Sequence, residues 1–291
     1  MPALPVSPPL VTRFAPAPTG FLHLGHVVNA LCVWGWARAR GAAVRLRVED
    51  HDRQRSRAVY EQALLDDLAW LGFEPDGPVV HQRAREALYQ DGLRTLAAAG
   101  LVYGCSCSRT ALQHAPPGRD GERCYPGTCR ARGIGLVDGV GWRVRLPDEE
   151  VRFDDVLLGP QEQRPSAQCG DLLIRDRAGN WTYQFAVVVD DLAQGISHVI
   201  RGADLASSTG RQILLARLLG RVEPPVFAHH PLVMRTAAEK LSKSDRDTGV
   251  GDLRRAGWTA ADVLAAARPW AAGALDRLGR TGDARRHPDL S

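Results

Sequence analysis

The spacing of apolar residues changes period several times along the chain. Residues 11–16 read as a short strand, followed over 17–25 by a loop rich in Pro and Gly. Residues 27–40 take helical spacing, with Val27, Leu31 and Trp34 on one side and Gly41 as the stop. A strand over 43–48 closes on Glu49 and Asp50. Helical stripes return at 57–71, through Tyr60, Leu64, Leu68 and Leu71, and at 83–99. Strand, helix, strand, helix in that order predicts an α/β domain built on a doubly wound parallel sheet of the Rossmann type.

The pattern breaks over 105–165, where four cysteines, many Gly and Pro, and short strand-like pieces at 142–146 and 151–156 suggest an insertion. It resumes with expected strands at 182–189, 198–201 and 226–233 and a helix at 208–219. The expected organisation is therefore a catalytic domain in two halves, 1–104 and 166–250, split by the insertion. A tail over 251–291 carries one helix at about 260–278 and a polar end.

Composition narrows the class. Hydrophobic residues make up 44% and charged residues 24%, as in ordinary globular proteins. No apolar run is long enough for a membrane span. The Pro-rich, uncharged start lacks the basic and apolar regions of a secretion signal, so residues 1–10 read as a disordered lead-in to a cytoplasmic protein. A net charge of +4 permits a nucleic-acid partner without arguing for one.

The basic residues say more by their type. Of 37 Lys plus Arg, only Lys240 and Lys243 are lysines, both inside Lys240-Leu241-Ser242-Lys243-Ser244. A GC-rich genome accounts for the scarcity of lysine but not for its location. Lysine is a compact, mobile point charge and arginine a planar fork, so two retained ammonium groups point to a site that needs them. The second feature is His23-Leu24-Gly25-His26, at the start of a helix after the Pro/Gly loop. A helix N-terminus presents unpaired N–H groups and partial positive charge to a phosphate. Gly25 allows close approach of a nucleotide, and His23 and His26 can donate hydrogen bonds to charge building on the α-phosphate. Alone, this spacing equally describes surface histidines or half a metal site. Alone, the lysine stretch equally describes a solvated loop. Together, each beside a strand end, they suggest a nucleotide triphosphate site.

Arg13-Phe14-Ala15-Pro16-Ala17-Pro18-Thr19-Gly20, running into His23–His26, resembles the first signature of class I aminoacyl-tRNA synthetases of the glutamyl branch. Lys240–Ser244 resembles the second, and Val48–Asp52 and His198–Gly202 match the same branch. The resemblance covers about residues 13–244. It implies ATP with Mg2+ as substrate, bound by His23, Gly25, His26 and Lys243, with His23, His26, Lys240 and Lys243 as the catalytic set. It also implies a glutamate pocket. Glu49 would take the α-ammonium, Arg13 and Arg201 the side-chain carboxylate, Tyr183 would give a hydroxyl, and Ala15 and Ala17 would contribute backbone groups. Val187 stands where full-length glutamyl-tRNA synthetases usually carry Asn, which predicts a lost polar contact and weaker glutamate affinity.

Cys105, Cys107, Cys124 and Cys129 place four thiols in one stretch, and in a cytoplasmic protein such clustering suggests a structural zinc. By donor chemistry the simplest ligand set is those four cysteines. The resemblance points instead to Cys105, Cys107, Tyr125 and Cys129, with Cys124 as the substitute for Tyr125. Cys32 and Cys169 read as packing residues.

Only residues 245–291 follow the second signature, too few for the helical anticodon-binding region of a full glutamyl-tRNA synthetase. The chain is in this respect similar to the truncated family that forms glutamyl-adenylate without tRNA and transfers glutamate to queuosine in the anticodon of tRNA(Asp). Three rivals compete. One is a discrete glutamyl-tRNA synthetase charging the 3′ end of tRNA(Glu), another a small-molecule nucleotidyltransferase, and the last a non-catalytic tRNA-binding relative.

Overall fold

The computed structural model describes residues 9–52, 54–115, 117–118, 122–233 and 248–280. Most of the lead-in, the Lys240–Ser244 stretch and the polar end of the tail lie outside these residues.

The parallel sheet starts with β1 (Val11–Phe14), β2 (Ala43–Val48) and β3 (Val80–His81) in the order β1-β2-β3. Between the first two runs α1 (Leu24–Arg40), and between the next two α2 (Ala58–Trp70). α1 begins where His23 accepts the Gly25 N–H at 3.1 Å, and ends where Gly41 turns left-handed at φ 61°, a conformation glycine adopts without strain. α3 (Glu86–Ala98) leads to a separate antiparallel sheet of β4 (Val102–Cys105), β5 (Gly141–Val144) and β8 (Leu172–Arg175), with α4 (Arg109–Gln113) after its first strand. The hairpin of β6 (Val151–Asp155) and β7 (Gly159–Gln163) returns the chain to the parallel layer, and α5 (Pro165–Gln168) follows it.

α6 (Tyr183–Ala193), β9 (His198–Gly202), α7 (Thr209–Leu218) and β10 (Val226–His230) complete the second half. β10 pairs in parallel with both β9 and β6. β9 lies alongside β1, where the Ser197 N–H donates to the Val11 carbonyl at 2.9 Å and the Ser197 hydroxyl oxygen accepts the Val11 N–H at 2.9 Å. The expected α/β fold with a parallel sheet is present, and the strand directions place the ends of β1, β2 and β9 on one edge.

Residues 182–189 are not the expected strand. Tyr183–Ala193 is helical, and Phe185 through Asp191 are all buried. A β-branched run enclosed on nearly every side reads as a buried strand in one dimension, because periodicity disappears when no face is polar. Enclosure by α3, α7 and the sheet outweighs the weak helix propensity of valine. The tail holds α8 (Val250–Arg255), which the sequence pattern did not predict, and α9 (Ala260–Arg280), which it did. α9 lays Val263, Ala267, Ala271, Ala274 and Leu278 against the cluster that includes Val33 and Ala37 of α1. Its Pro269, which deletes one helical hydrogen bond, is exposed. No helix among the described residues is long and apolar enough to cross a membrane.

Candidate active site

A cavity of about 350 Å³ opens at the carboxyl ends of β1, β2 and β9. In an open α/β sheet this is the edge where ligands bind, because the strands end there and loops diverge around a crevice. Arg13, Ala15, Ala17, Glu49, Tyr183 and Arg201 all line it, with Thr19, Asn29, His51 and Leu205. The sequence assembled the first six from four separate segments, and the fold brings them to one wall.

A buried ion network holds the cavity floor. Arg47, fully buried, donates to Asp191 at 2.7 Å and to Glu49 at 3.1 Å, and its Nε lies 3.7 Å from Asp190. Arg13 donates to Asp191 at 3.4 Å. Asp190 accepts further bonds from Gln82 at 2.7 Å, Arg85 at 2.5 Å and Tyr89 at 2.9 Å. Removing one member of such a buried set strands the others, so the network fixes where Arg13 and Glu49 point. Burial works against the Asp191 carboxylate, but Arg13 and Arg47 outweigh it and hold it below the usual range. Burial pushes Glu49 up despite Arg47, and an ammonium in the cavity would offset that cost.

Arg201 differs from the other cavity arginines. It is 3% exposed, and its hydrogen-bond partners are all neutral. Nε donates to His229 Nε2 at 3.0 Å, one terminal nitrogen to Gln212 at 2.7 Å, and the other to the Thr209 hydroxyl at 2.8 Å and the Leu205 carbonyl at 3.4 Å. No carboxylate among the described residues pairs with it. Burial presses its pKa down. A buried guanidinium whose direct partners are all dipoles is an electrostatic receptor for an anion.

The α1 start lies beside this wall. The His23 Nδ1 accepts the Gly25 N–H, and the His26 Nδ1 accepts the His23 N–H at 3.2 Å. With Nδ1 as acceptor, each neutral ring carries its proton on Nε2, where it is a donor. The ring centroids are 4.0 Å apart. A Cβ at Gly25 would sit 3.0 Å from the His23 ring, so glycine keeps this turn open. The chain on both sides of residues 234–247 meets the same helix. His230 Nε2 lies 3.2 Å from the Asn29 amide oxygen, and the Val250 N–H donates to the Leu22 carbonyl at 2.7 Å beside the bridge between His23 and Gly249. Lys240 and Lys243 themselves lie outside the described residues.

The Cys105, Cys107 and Cys129 sulfurs fall within 4.8 Å of one another and can hold a metal ion. The Cys107–Cys129 separation is 3.6 Å, close to the roughly 3.8 Å between thiolates on a tetrahedral ion with 2.3 Å bonds. The Tyr125 hydroxyl stands 3.5 Å from the Cys105 sulfur and accepts the Cys129 N–H at 2.8 Å. Cys124 turns elsewhere, its thiol 3.5 Å from the Ser166 carbonyl, so it is not part of the three-sulfur group. Burial opposes ionisation of Cys129, yet hydrogen bonds from Ser106, Cys107 and Tyr125 bring it down to about 6. A ready thiolate beside two further sulfurs is donor chemistry suited to zinc.

Several residues of the site carry no sequence signal of their own. Thr19 and Asn29 reach the cavity through the loop and the first turns of α1. Asp190 and Asp191 hold the floor from the last turns of α6, just past the residues expected as strand. Asp155 and His229 stand behind Arg201 on neighbouring strands, legible only through pairing. Val187 is 1% exposed in the apolar cluster with Ile213 and Leu214, one turn of α6 after Tyr183 and outside the residues that line the cavity.

The sequence and the fold match known proteins. The family described as tRNA synthetases class I (E and Q), catalytic domain, matches residues 9–126 and 138–266. A solved glutamate tRNA ligase from Elizabethkingia meningosepticum, in complex with its amino acid, superposes with a TM-score of 0.69 at 27% identity, covering 81% of this chain and 52% of that one. The chain thus spans about half the length of that ligase. A glutamyl-Q tRNA(Asp) synthetase from Geobacter sulfurreducens is 44% identical over 259 residues, covering 86% of this chain and 81% of the relative. Another from Aromatoleum aromaticum is 45% identical over 240 residues, covering 81% and 75%. The chain belongs to the class I tRNA synthetases of the glutamyl and glutaminyl branch, and within them to the glutamyl-Q tRNA(Asp) synthetase family.

Proposed function

We propose that the chain is a ligase that activates L-glutamate with ATP and Mg2+, without tRNA, and passes the activated glutamate to queuosine in the anticodon of tRNA(Asp). The observation that carries the amino-acid half is Arg201: a buried cation with only neutral partners, sharing one cavity with Glu49. An amino acid with its own carboxylate side chain supplies the anion that Arg201 lacks and an ammonium for Glu49, whose burial Arg47 only partly offsets. Glu49 takes the α-ammonium, and Arg13 and Arg201 take the side-chain carboxylate. The Tyr183 hydroxyl adds a hydrogen bond, and the Ala15 and Ala17 backbone lines the rest.

Activation needs the α-carboxylate to attack the α-phosphate of ATP while pyrophosphate leaves. His23 and His26 donate from Nε2 to the phosphate as its charge rises, and Gly25 lets the nucleotide approach. Lys240 and Lys243 neutralise the departing pyrophosphate, on a stretch whose two flanks both meet the start of α1. The adenylate makes the glutamyl carbonyl electrophilic, and a positioned hydroxyl of the acceptor then attacks it, giving up its proton as AMP leaves. Cys105, Cys107, Tyr125 and Cys129 hold one structural zinc. The acceptor rests on the names of the relatives.

The test is glutamylation of tRNA(Asp) with and without queuosine, with the modified nucleotide mapped, alongside glutamate-dependent exchange of pyrophosphate into ATP in the absence of tRNA. Label at the queuosine nucleotide and tRNA-free exchange are expected. Label at the 3′ end of tRNA(Glu) would replace the acceptor, and exchange that ignores glutamate would remove the whole assignment.

A further inference from the structure

Behind Arg201, on the side away from the cavity, two buried residues outside the roles described above form a short chain. Asp155 ends β6, and His229 lies on β10, its parallel neighbour. The Asp155 Oδ1 accepts three backbone N–H groups, from Leu157 and Leu158 at 2.9 Å and from His229 at 3.2 Å. Its Oδ2 faces the His229 Nδ1 at 2.5 Å. A carboxylate oxygen there requires the imidazole proton on Nδ1, which leaves the Nε2 lone pair to accept the Arg201 Nε–H at 3.0 Å.

We propose that Asp155 and His229 are positioning residues that aim the Arg201 guanidinium and thereby set the preference of the pocket for a carboxylate side chain over its amide. The inference rests on Arg201 as the receptor for the glutamate side chain. Asp155 fixes the tautomer, and the tautomer makes His229 a neutral acceptor. A neutral partner orients the guanidinium without satisfying its charge. A carboxylate in the place of His229 would neutralise Arg201 and remove the pull on an acidic substrate. An imidazolium would set a cation and an N–H donor against the Arg201 Nε–H. Burial and the neighbouring Arg201 and Arg13 hold His229 in its neutral form even though Asp155 pulls the other way.

Asp155→Asn tests this with almost no change of shape. The three backbone donors select the amide oxygen for the Oδ1 position, so the amide NH2 faces Nδ1. The ring proton is then forced onto Nε2, where it opposes the Arg201 N–H at 3.0 Å and has only the Thr209 hydroxyl, at 3.1 Å, as an acceptor. In pyrophosphate exchange the KM for glutamate is expected to rise about tenfold, which is about 1.4 kcal/mol. The KM for ATP should stay within about twofold, and the preference for glutamate over glutamine should fall by a factor similar to the glutamate loss. Nitrogen-15 NMR of the His229 ring should move from the neutral Nδ1–H form to the Nε2–H form. A switched tautomer with an unchanged KM for glutamate overturns the proposal. Should the variant fail to fold, the wild-type spectrum decides: an Nε2–H or doubly protonated ring overturns it, and a neutral Nδ1–H ring supports it. Arg201→Lys separates the two levels. If it leaves the KM for glutamate unchanged, the pocket assignment itself falls. If it raises that KM while Asp155→Asn does not, only the positioning role is lost.

Discussion

Two buried charged side chains show what a single residue's surroundings decide. Arg201 is held by neutral acceptors and keeps its charge available to a ligand. Asp67, 5% exposed on α2, has a carboxylate oxygen with no hydrogen-bond partner among the described residues. Burial raises its pKa from the ordinary 3.8 to about 6, only partly countered by Arg254. The folded chain therefore binds this proton more tightly than the unfolded chain. The stabilisation that proton brings is complete below the unfolded value and lost as pH rises through the folded one. At pH 8 Asp67 is a buried charge without a hydrogen-bond partner on one oxygen, and Asp67→Asn should raise Tm by about 2–4 °C, the shift for about 1 kcal/mol in a domain of this size. Near pH 4, where the folded carboxyl is already neutral, the same substitution should change Tm little. Thermal melts at both values check the sign.

Elements differ in how plainly the sequence declares them. α1 carries its own start and stop in His23 and Gly41, and its apolar side is periodic, so it was legible. α6 carries three valines in a row that read as strand, its polar side is buried too, and only its packing between helices and sheet makes it a helix. The cysteine stretch lies between these cases. Its residue types announced a metal site, but four thiols and a phenol left two ligand sets open. Local geometry separates them, since Tyr125 faces Cys105 and Cys129 while Cys124 turns to Ser166. Elemental analysis should find about one zinc per chain. Cys124→Ser should keep it, and Tyr125→Phe should lose it sooner to a chelator. Burial holds the phenol proton on Tyr125, so the ion has to supply the charge that removes it. A metal-free preparation with full activity would remove the zinc assignment.

Across the whole molecule, the parallel strands gather residues far apart in sequence onto one edge, and the proposed chemistry depends on that gathering. Arg13, Glu49, Tyr183 and Arg201 come from separate segments to one cavity. The flanks of residues 234–247 meet α1 near its histidines. On the role proposed for Lys243, Lys243→Ala should abolish glutamate-dependent pyrophosphate exchange, while circular dichroism and Tm stay those of the parent. Undiminished exchange would dismiss the role given to that lysine.

The amino-acid sequence by itself determined the α/β class and singled out most of the residues that line the cavity, because those rest on local spacing and on residue types that chemistry makes hard to exchange. The tertiary structure alone decided that 183–193 is a helix, that Cys124 faces away from the other sulfurs, and that Arg201 is met by His229, itself held by Asp155, rather than directly by a carboxylate. Each of these depends on which groups become neighbours once water is excluded, and contacts between distant segments leave no period in the chain to read.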